Sequence, residues 1–321
     1  MPYGYVIGWG HNALYGCNGV SSPESNPGVV TVAGKILTNA VAITAGSPRF
    51  ALISNGTVFG WGRNDNGRAL GYYSGIDITN GLVRIDGNTL SNVTAISANG
   101  FALKNDGSVL TWGGINRAVP PSGLSNIGAI NGNLALKNDG TVIAWGSNNH
   151  GEETTVPEGL SNIVAVASGL ENMALRKDGT VLEWYGNSHL DHKVPDGLSN
   201  VVAIANGWTH HLALKSDGTV FGWGADNGRG EVTGVPTFTG FVSGPVVIGG
   251  QLLSNVVSIA AGNGFSLALK ENGTINAWGN DQWHQTDIPA GLSNVVAIAA
   301  GDSFCLAITT NRAVAEKFMQ K

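Results

Sequence analysis

The sequence predicts an all-β fold, a single seven-bladed β-propeller over residues 1–312 with a C-terminal tail at 313–321. Three observations carry that prediction. A unit beginning Ser/Thr-Asn recurs seven times, starting at Thr38, Ser91, Ser125, Ser161, Ser199, Ser254 and Ser293. A tryptophan followed at once, or after one residue, by glycine closes the units at Trp61, Trp112, Trp145, Trp184, Trp223 and Trp278, with a seventh such tryptophan, Trp9, alone at the N-terminus. Glycine makes up 48 of 321 residues, about twice the usual ~7%, while charged residues are 12%, about half the usual share. Such a chain is dense in turns, and its repeats of 33–55 residues match a blade of four short strands.

The elements follow in order within each unit. NVVAIAA (294–300) and SLALK (266–270) alternate apolar and small residues, and GTINAWG (273–279) supplies the third strand. Between the second and third strands stands Asx-Gly: Asn55-Gly56, Asp106-Gly107, Asp139-Gly140, Asp178-Gly179, Asp217-Gly218 and Asn272-Gly273. This is a strong hairpin signal and predicts a two-residue turn with both residues at positive φ. A polar loop follows, then a short piece such as TTVP (154–157) or HKVP (192–195), expected to form an outer fourth strand whose proline suits an edge.

The ends of the chain complement each other. The last unit, Ser293–Arg312, lacks its Trp-Gly strand, while GYVIGWG (4–10) is such a strand without its unit. The N-terminal strand is therefore expected to complete the last blade, closing the ring and removing an exposed sheet edge. Cys17 and Cys305 then fall in that same blade; whether they are bonded is left open by the sequence. The tail, AVAEKFMQK, has the composition of a short helix or an ordered segment outside the ring.

Composition excludes several functions. The formal net charge is −5, with 17 Lys+Arg and no basic run, so no nucleic-acid partner is expected. Nothing approaches the ~20 apolar residues of a membrane span. The N-terminus has neither a basic start nor a long apolar run, so no signal peptide is read; the expectation is a cytoplasmic chain, or export by a non-classical route. Catalytic signatures amount to near-misses. GVVTVAGK (28–35) is one residue too long for a phosphate loop, and Ile36 stands where a magnesium-binding hydroxyl belongs. No enzyme activity and no cofactor are expected. His189-Leu-Asp-His192, with His150 one blade away, has ligand-like spacing, but polar loop histidines are the preferred reading and no metal is expected.

The repeats resemble those of the regulator of chromosome condensation superfamily, most closely in Gly60–Gly87, GWGRNDNGRALGYYSGIDITNGLVRIDG. The short form AWGSNNHGEETTVPEGLSNIVAVASG (144–169) is similar to the bacterial branch that includes β-lactamase inhibitory protein II. The resemblance implies a propeller over residues 1–312. It also implies one of three roles found among its members: exchange factor, enzyme inhibitor or interaction platform. In the inhibitor branch one loop face grips the partner with aromatic residues, and Trp208 in GWTHH stands at such a position.

Between repeats, strands and hairpin turns are nearly constant, whereas the first-to-second and third-to-fourth loops vary, marking one face of the disc as the working surface. Trp208 and Trp283 are the two tryptophans that the repeat does not require, and both lie in those loops. The expected site is centred on them, with His210, Asp226, Arg229 and His284 beside them and His11 and Tyr15 from the closing blade; Phe238 and Phe241 either join it or pin a long loop. The alternative is that the two tryptophans cover the channel mouth. The expected function is a monomeric, non-enzymatic protein-binding platform. A carbohydrate-binding protein is the alternative, since exposed tryptophan beside Asn, Asp and His suits a sugar ring; an exchange-factor-like regulator is the third.

Overall fold

The computed structural model describes residues 4–11, 27–32, 34–75, 78–98, 100–113, 119–146, 155–169, 171–185, 194–226, 228–237 and 240–319. Cys17 lies outside the described residues, as do Tyr15, His150, His189, His192 and Phe238.

The described residues form seven sheets of three or four antiparallel strands and three two-stranded ribbons. In chain order, the first sheet is built on Ala40–Thr44, Arg49–Ile53, Val58–Arg63 and Ile78–Leu82. The second holds Val93–Ser97, Phe101–Lys104 and Val109–Thr111, and the third Ile127–Asn131, Leu134–Lys137 and Val142–Ala144. The fourth holds Ile163–Ala167, Glu171–Arg176 and Val181–Tyr185. The fifth has four strands, Val201–Asn206, His210–Lys215, Val220–Ala225 and Phe241–Pro245. The sixth has Val256–Ala261, Phe265–Lys270 and Ile275–Gly279. The seventh joins the two ends of the chain: Val295–Ala300 and Phe304–Thr309 are followed by the N-terminal strand Tyr5–Gly10 and then Gly28–Val29.

The core lies between sheets. Phe50, Leu52 and Val58 of the first sheet pack with Val93, Ala102 and Trp112 of the second. The same arrangement repeats along the chain until Phe265 and Leu267 of the sixth sheet meet Trp9, Cys305 and Ala307 of the seventh. Val6, Phe304, Leu306 and Ile308 of the seventh then meet Ala51, Phe59 and Trp61 of the first. All seven repeat tryptophans are buried in these seams.

Two local devices account for the recurring residues. The Asn of each Ser/Thr-Asn pair (Asn39, Asn92, Asn126, Asn162, Asn200, Asn255, Asn294) adopts a positive φ, which Asn tolerates better than most residues. Its carbonyl accepts a backbone N–H from the end of its own second strand, as in Ser54 to Asn39 at 2.9 Å. In every one of the seven sheets the first strand then carries a bulge, as between Val93 and Ala95. The extra residue turns outward, which explains the exposed Val164, Val202, Val257 and Val296 inside runs that read as regular alternation.

The hairpin turns depart from the sequence expectation. Only the glycine has positive φ, as in Gly56 at 80°; Asn55 and its equivalents do not. The loop is three residues long with a left-handed glycine at its end, the second most common hairpin solution. The Asx side chain is used otherwise: Oδ1 of Asn55 accepts from Thr57 N–H at 3.0 Å and Thr57 Oγ1 at 2.7 Å. Glycine is also required because the next sheet is close. The Gly56 carbonyl accepts Val93 N–H at 3.0 Å, and a Cβ there would lie 3.2 Å from Asn92 N. The expected outer fourth strand forms in the first, fifth and seventh sheets, but not at the two short pieces read as examples of it. Within the described parts of TTVP and HKVP, residues 155–157 and 194–195 form no strand, because proline removes a ladder donor from a segment already too short to pair.

The tail is a helix, Arg312–Met319. Asn311 Oδ1 caps its start by accepting Ala313 N–H at 3.1 Å, and Val314, Ala315 and Phe318 pack on Ile7 and Val29. The helix thereby covers the outer side of the sheet that joins the chain ends.

Candidate functional site

The loops of interest sit where first strands end and second strands begin, and just after third strands. Trp208 lies between Val201–Asn206 and His210–Lys215 and is 52% exposed. The turn that carries it is pinned by Gly207 N–H to the His210 carbonyl at 2.8 Å and Trp208 N–H to the Gly262 carbonyl at 3.2 Å. Trp208 borders a cavity of about 330 Å³ whose other walls include Ala45, Gly169, Asn206, Gly262 and Gly301. These residues come from the first, fourth, fifth, sixth and seventh sheets, so the cavity lies where the innermost strands converge.

Trp283 follows the third strand of the sixth sheet and is 39% exposed. Its N–H donates to Gln285 Oε1 at 2.8 Å, and its ring lies 4.2 Å from that of His11, tilted by 33°. His11 N–H in turn donates to the Ser303 carbonyl at 2.9 Å. Trp283 and the N-terminal segment thus form one surface unit. His284, exposed and at φ 58°, holds Asp287 through Nδ1 at 3.0 Å. Arg229 is exposed.

Two expected contact residues are instead internal supports. His210 is fully buried. Ser266 Oγ donates to the Glu231 carbonyl at 2.9 Å, so at 2.8 Å it accepts from Nε2–H of His210. Burial, then the neighbouring His211, pulls the His210 imidazole down to about 3, leaving it neutral. Asp226 is buried as well, and its Oδ1 accepts the backbone N–H groups of Gly228, Arg229 and Gly230 at 2.8–3.2 Å. Both residues therefore hold loop shape and do not meet a partner. Accordingly Asp226→Ala is expected to lower stability by about 1–3 kcal/mol, because three amides lose their acceptor; a urea melt checks this.

The sequence reading passed over a polar group behind Trp208. Glu171 begins the second strand of the fourth sheet, Glu183 lies in the third, and His211 stands in the second strand of the fifth. His211 Nε2 is 2.6 Å from Glu171 Oε2 and 3.6 Å from Glu183 Oε1. Burial, then the adjoining Glu171, pushes the Glu183 carboxyl up to about 9. A signal for it existed in the repeats. The residue before the repeat tryptophan is Gly8, Gly60, Thr111, Ala144, Gly222 or Ala277 elsewhere, and Glu183 here.

Comparison with known proteins bears on the fold. The model of the Regulator of chromosome condensation (RCC1) repeat matches residues 201–231 and 256–283, stretches that contain Trp208 and Trp283. No curated protein matches the chain by sequence. Among solved structures, Prp20p from Saccharomyces cerevisiae is 19% identical, with a TM-score of 0.70 over 99% of this chain and 94% of that one. Human WBSCR16 is 16% identical, with a TM-score of 0.68 over 96% and 100%. The ectodomain of the Arabidopsis thaliana receptor kinase ACR4 is 18% identical, with a TM-score of 0.56 over 85% and 92%. These likenesses establish an all-β, RCC1-like propeller fold.

Proposed function

We propose that the chain is a seven-bladed propeller, closed by its N-terminal strand, that acts as a non-enzymatic protein-binding platform, an inhibitor or a recruiting subunit. The blade count is supported by seven sheets whose cores are shared by successive sheets and by the last and the first. The inhibitor-containing bacterial branch is supported by the short repeat 144–169.

One observation carries the functional reading. The seven repeat tryptophans are buried, while Trp208 and Trp283, which the scaffold does not need, are exposed in neighbouring sheets of the loop face. Large, partly exposed aromatics outside the core are the residues that dominate protein interfaces. Relatives in fold support the class: Prp20p is described with binding properties to Gsp1p and histones, and yeast RCC1 (Prp20) with Kap60 bound. Trp208, Trp283, His11, Arg229 and His284 are the contact residues of this reading.

Affinity capture from the producing host identifies the partner, and a binding titration then tests the site. Truncating a central interface tryptophan costs about 2 kcal/mol or more, so Trp208→Ala and Trp283→Ala are each expected to weaken binding at least ~30-fold with little change in melting temperature. Full affinity in both variants refutes the assignment. A glycan array decides the class: strong, selective binding to one sugar overturns the protein-partner reading.

A further inference from the structure

We propose that Glu171, Glu183 and His211 form a binding site for one divalent cation of the zinc class, in the seam between the fourth and fifth sheets. Their ligand atoms, one imidazole nitrogen and two carboxylate oxygens, all lie within 4.8 Å of one another. Tetrahedral zinc bonds of about 2.0–2.2 Å place neighbouring ligand atoms about 3.3–3.6 Å apart, within the range of separations seen here. Admitting the ion requires the 2.6 Å His211–Glu171 contact to open by well under the width of an atom.

The surroundings are built for ligation. Asn206 Nδ2 donates to the carbonyls of Ala167 at 3.1 Å and Glu171 at 2.7 Å, which turns its Oδ1 toward His211 Nδ1 at 2.9 Å. An amide oxygen only accepts, so Nδ1 carries a hydrogen, and Nε2 shares a proton with Glu171 Oε2 in the 2.6 Å contact that an ion would replace. An acceptor on the far ring nitrogen orients a metal-bound histidine, a carboxylate or backbone carbonyl being the usual one; here an amide oxygen stands in that place. The Trp223 indole N–H donates to Glu183 Oε2 at 3.3 Å, while Oε1 faces His211 Nε2 at 3.6 Å. The Glu183 side chain is only 5% exposed.

Glu183 replaces Gly, Ala or Thr of other repeats, and Glu171, opposite the residue after the repeat tryptophan, replaces Phe265 and Phe304. Mixed imidazole and carboxylate donors suit zinc or manganese better than calcium or magnesium. Three protein ligands leave a fourth position for water.

The test uses the full chain, stripped with EDTA, dialysed against Zn²⁺ and assayed by elemental mass spectrometry, with Mn²⁺ in parallel. One equivalent of Zn²⁺ is expected. Glu183→Gln keeps the side-chain shape and is expected to weaken binding at least 100-fold while the stripped protein melts as before. Glu171→Gln serves if that variant fails to fold. Asp287→Asn disables the exposed Asp281–His284–Asp287 group and is expected to keep the ion. No equivalent above background, or one that Glu183→Gln and Glu171→Gln retain unchanged, overturns the proposal. Neither outcome touches the partner-binding reading, whose test does not involve these residues.

Discussion

A chain lacking residues 1–10 is expected to lose its single cooperative melting transition. Tyr5–Gly10 pairs with Phe304–Thr309 over six consecutive residues, from Tyr5 opposite Thr309 to Gly10 opposite Phe304. It sends Val6 into the seam with the first sheet, Trp9 into the seam with the sixth and Ile7 under the C-terminal helix. Each such side chain is worth about 1.5–3 kcal/mol when fully buried, so the strand supplies several kcal/mol against a typical net stability of about 5–15 kcal/mol. The truncation also exposes Phe304–Thr309 as an apolar edge that invites association. Calorimetry with size-exclusion chromatography is the check: a broadened, much lower transition and soluble aggregates are expected. A monomer melting like the full chain refutes the closing role of the strand.

Trp145→Ala is expected to destabilise the fold by about 3–5 kcal/mol, the range for deleting a large buried aromatic and leaving a cavity. Trp145 is buried between the second and third sheets with Phe101, Leu103, Ile127 and Ala135, its ring edge-on to Phe101 at 5.4 Å. Trp208→Ala, at an exposed position, is expected to stay within about 0.5 kcal/mol of the parent protein. Denaturant melts of the two variants side by side measure the contrast. Equal losses would show that Trp208 is part of the scaffold and remove it from the candidate site.

Much of the fold is legible because it is repeated and local. Alternating strands, Asx-Gly turns and the Trp-Gly strand each state a short-range preference, and seven copies make the period unmistakable. The pairing of Tyr5–Gly10 with Phe304–Thr309 joins residues about 300 positions apart, yet it too is readable, because one end of the chain lacks what the other carries. Trp208 and Trp283 stand out as exposed for the same reason: comparison of repeats shows that they fill no repeated position.

What only the tertiary structure decided lies between the sheets. Trp208 and His210 are two residues apart in one varied loop, and nothing local says that the first is exposed while the second is sealed against Ser266 of the next sheet. Asp226 reads as a surface acid until its carboxylate is seen gathering three amides of its own loop. The hairpin glycines look like turn residues alone, although at Gly56, Gly140, Gly179, Gly218 and Gly273 the adjoining sheet would also crowd a Cβ. Glu171 and Glu183 belong to one sheet and His211 to the next, so their meeting depends on how closely the two sheets pack. A residue pattern reports the chain's preference along a strand. The distance across a seam is the sum of many backbone placements and side-chain volumes, and no stretch of sequence carries that sum by itself.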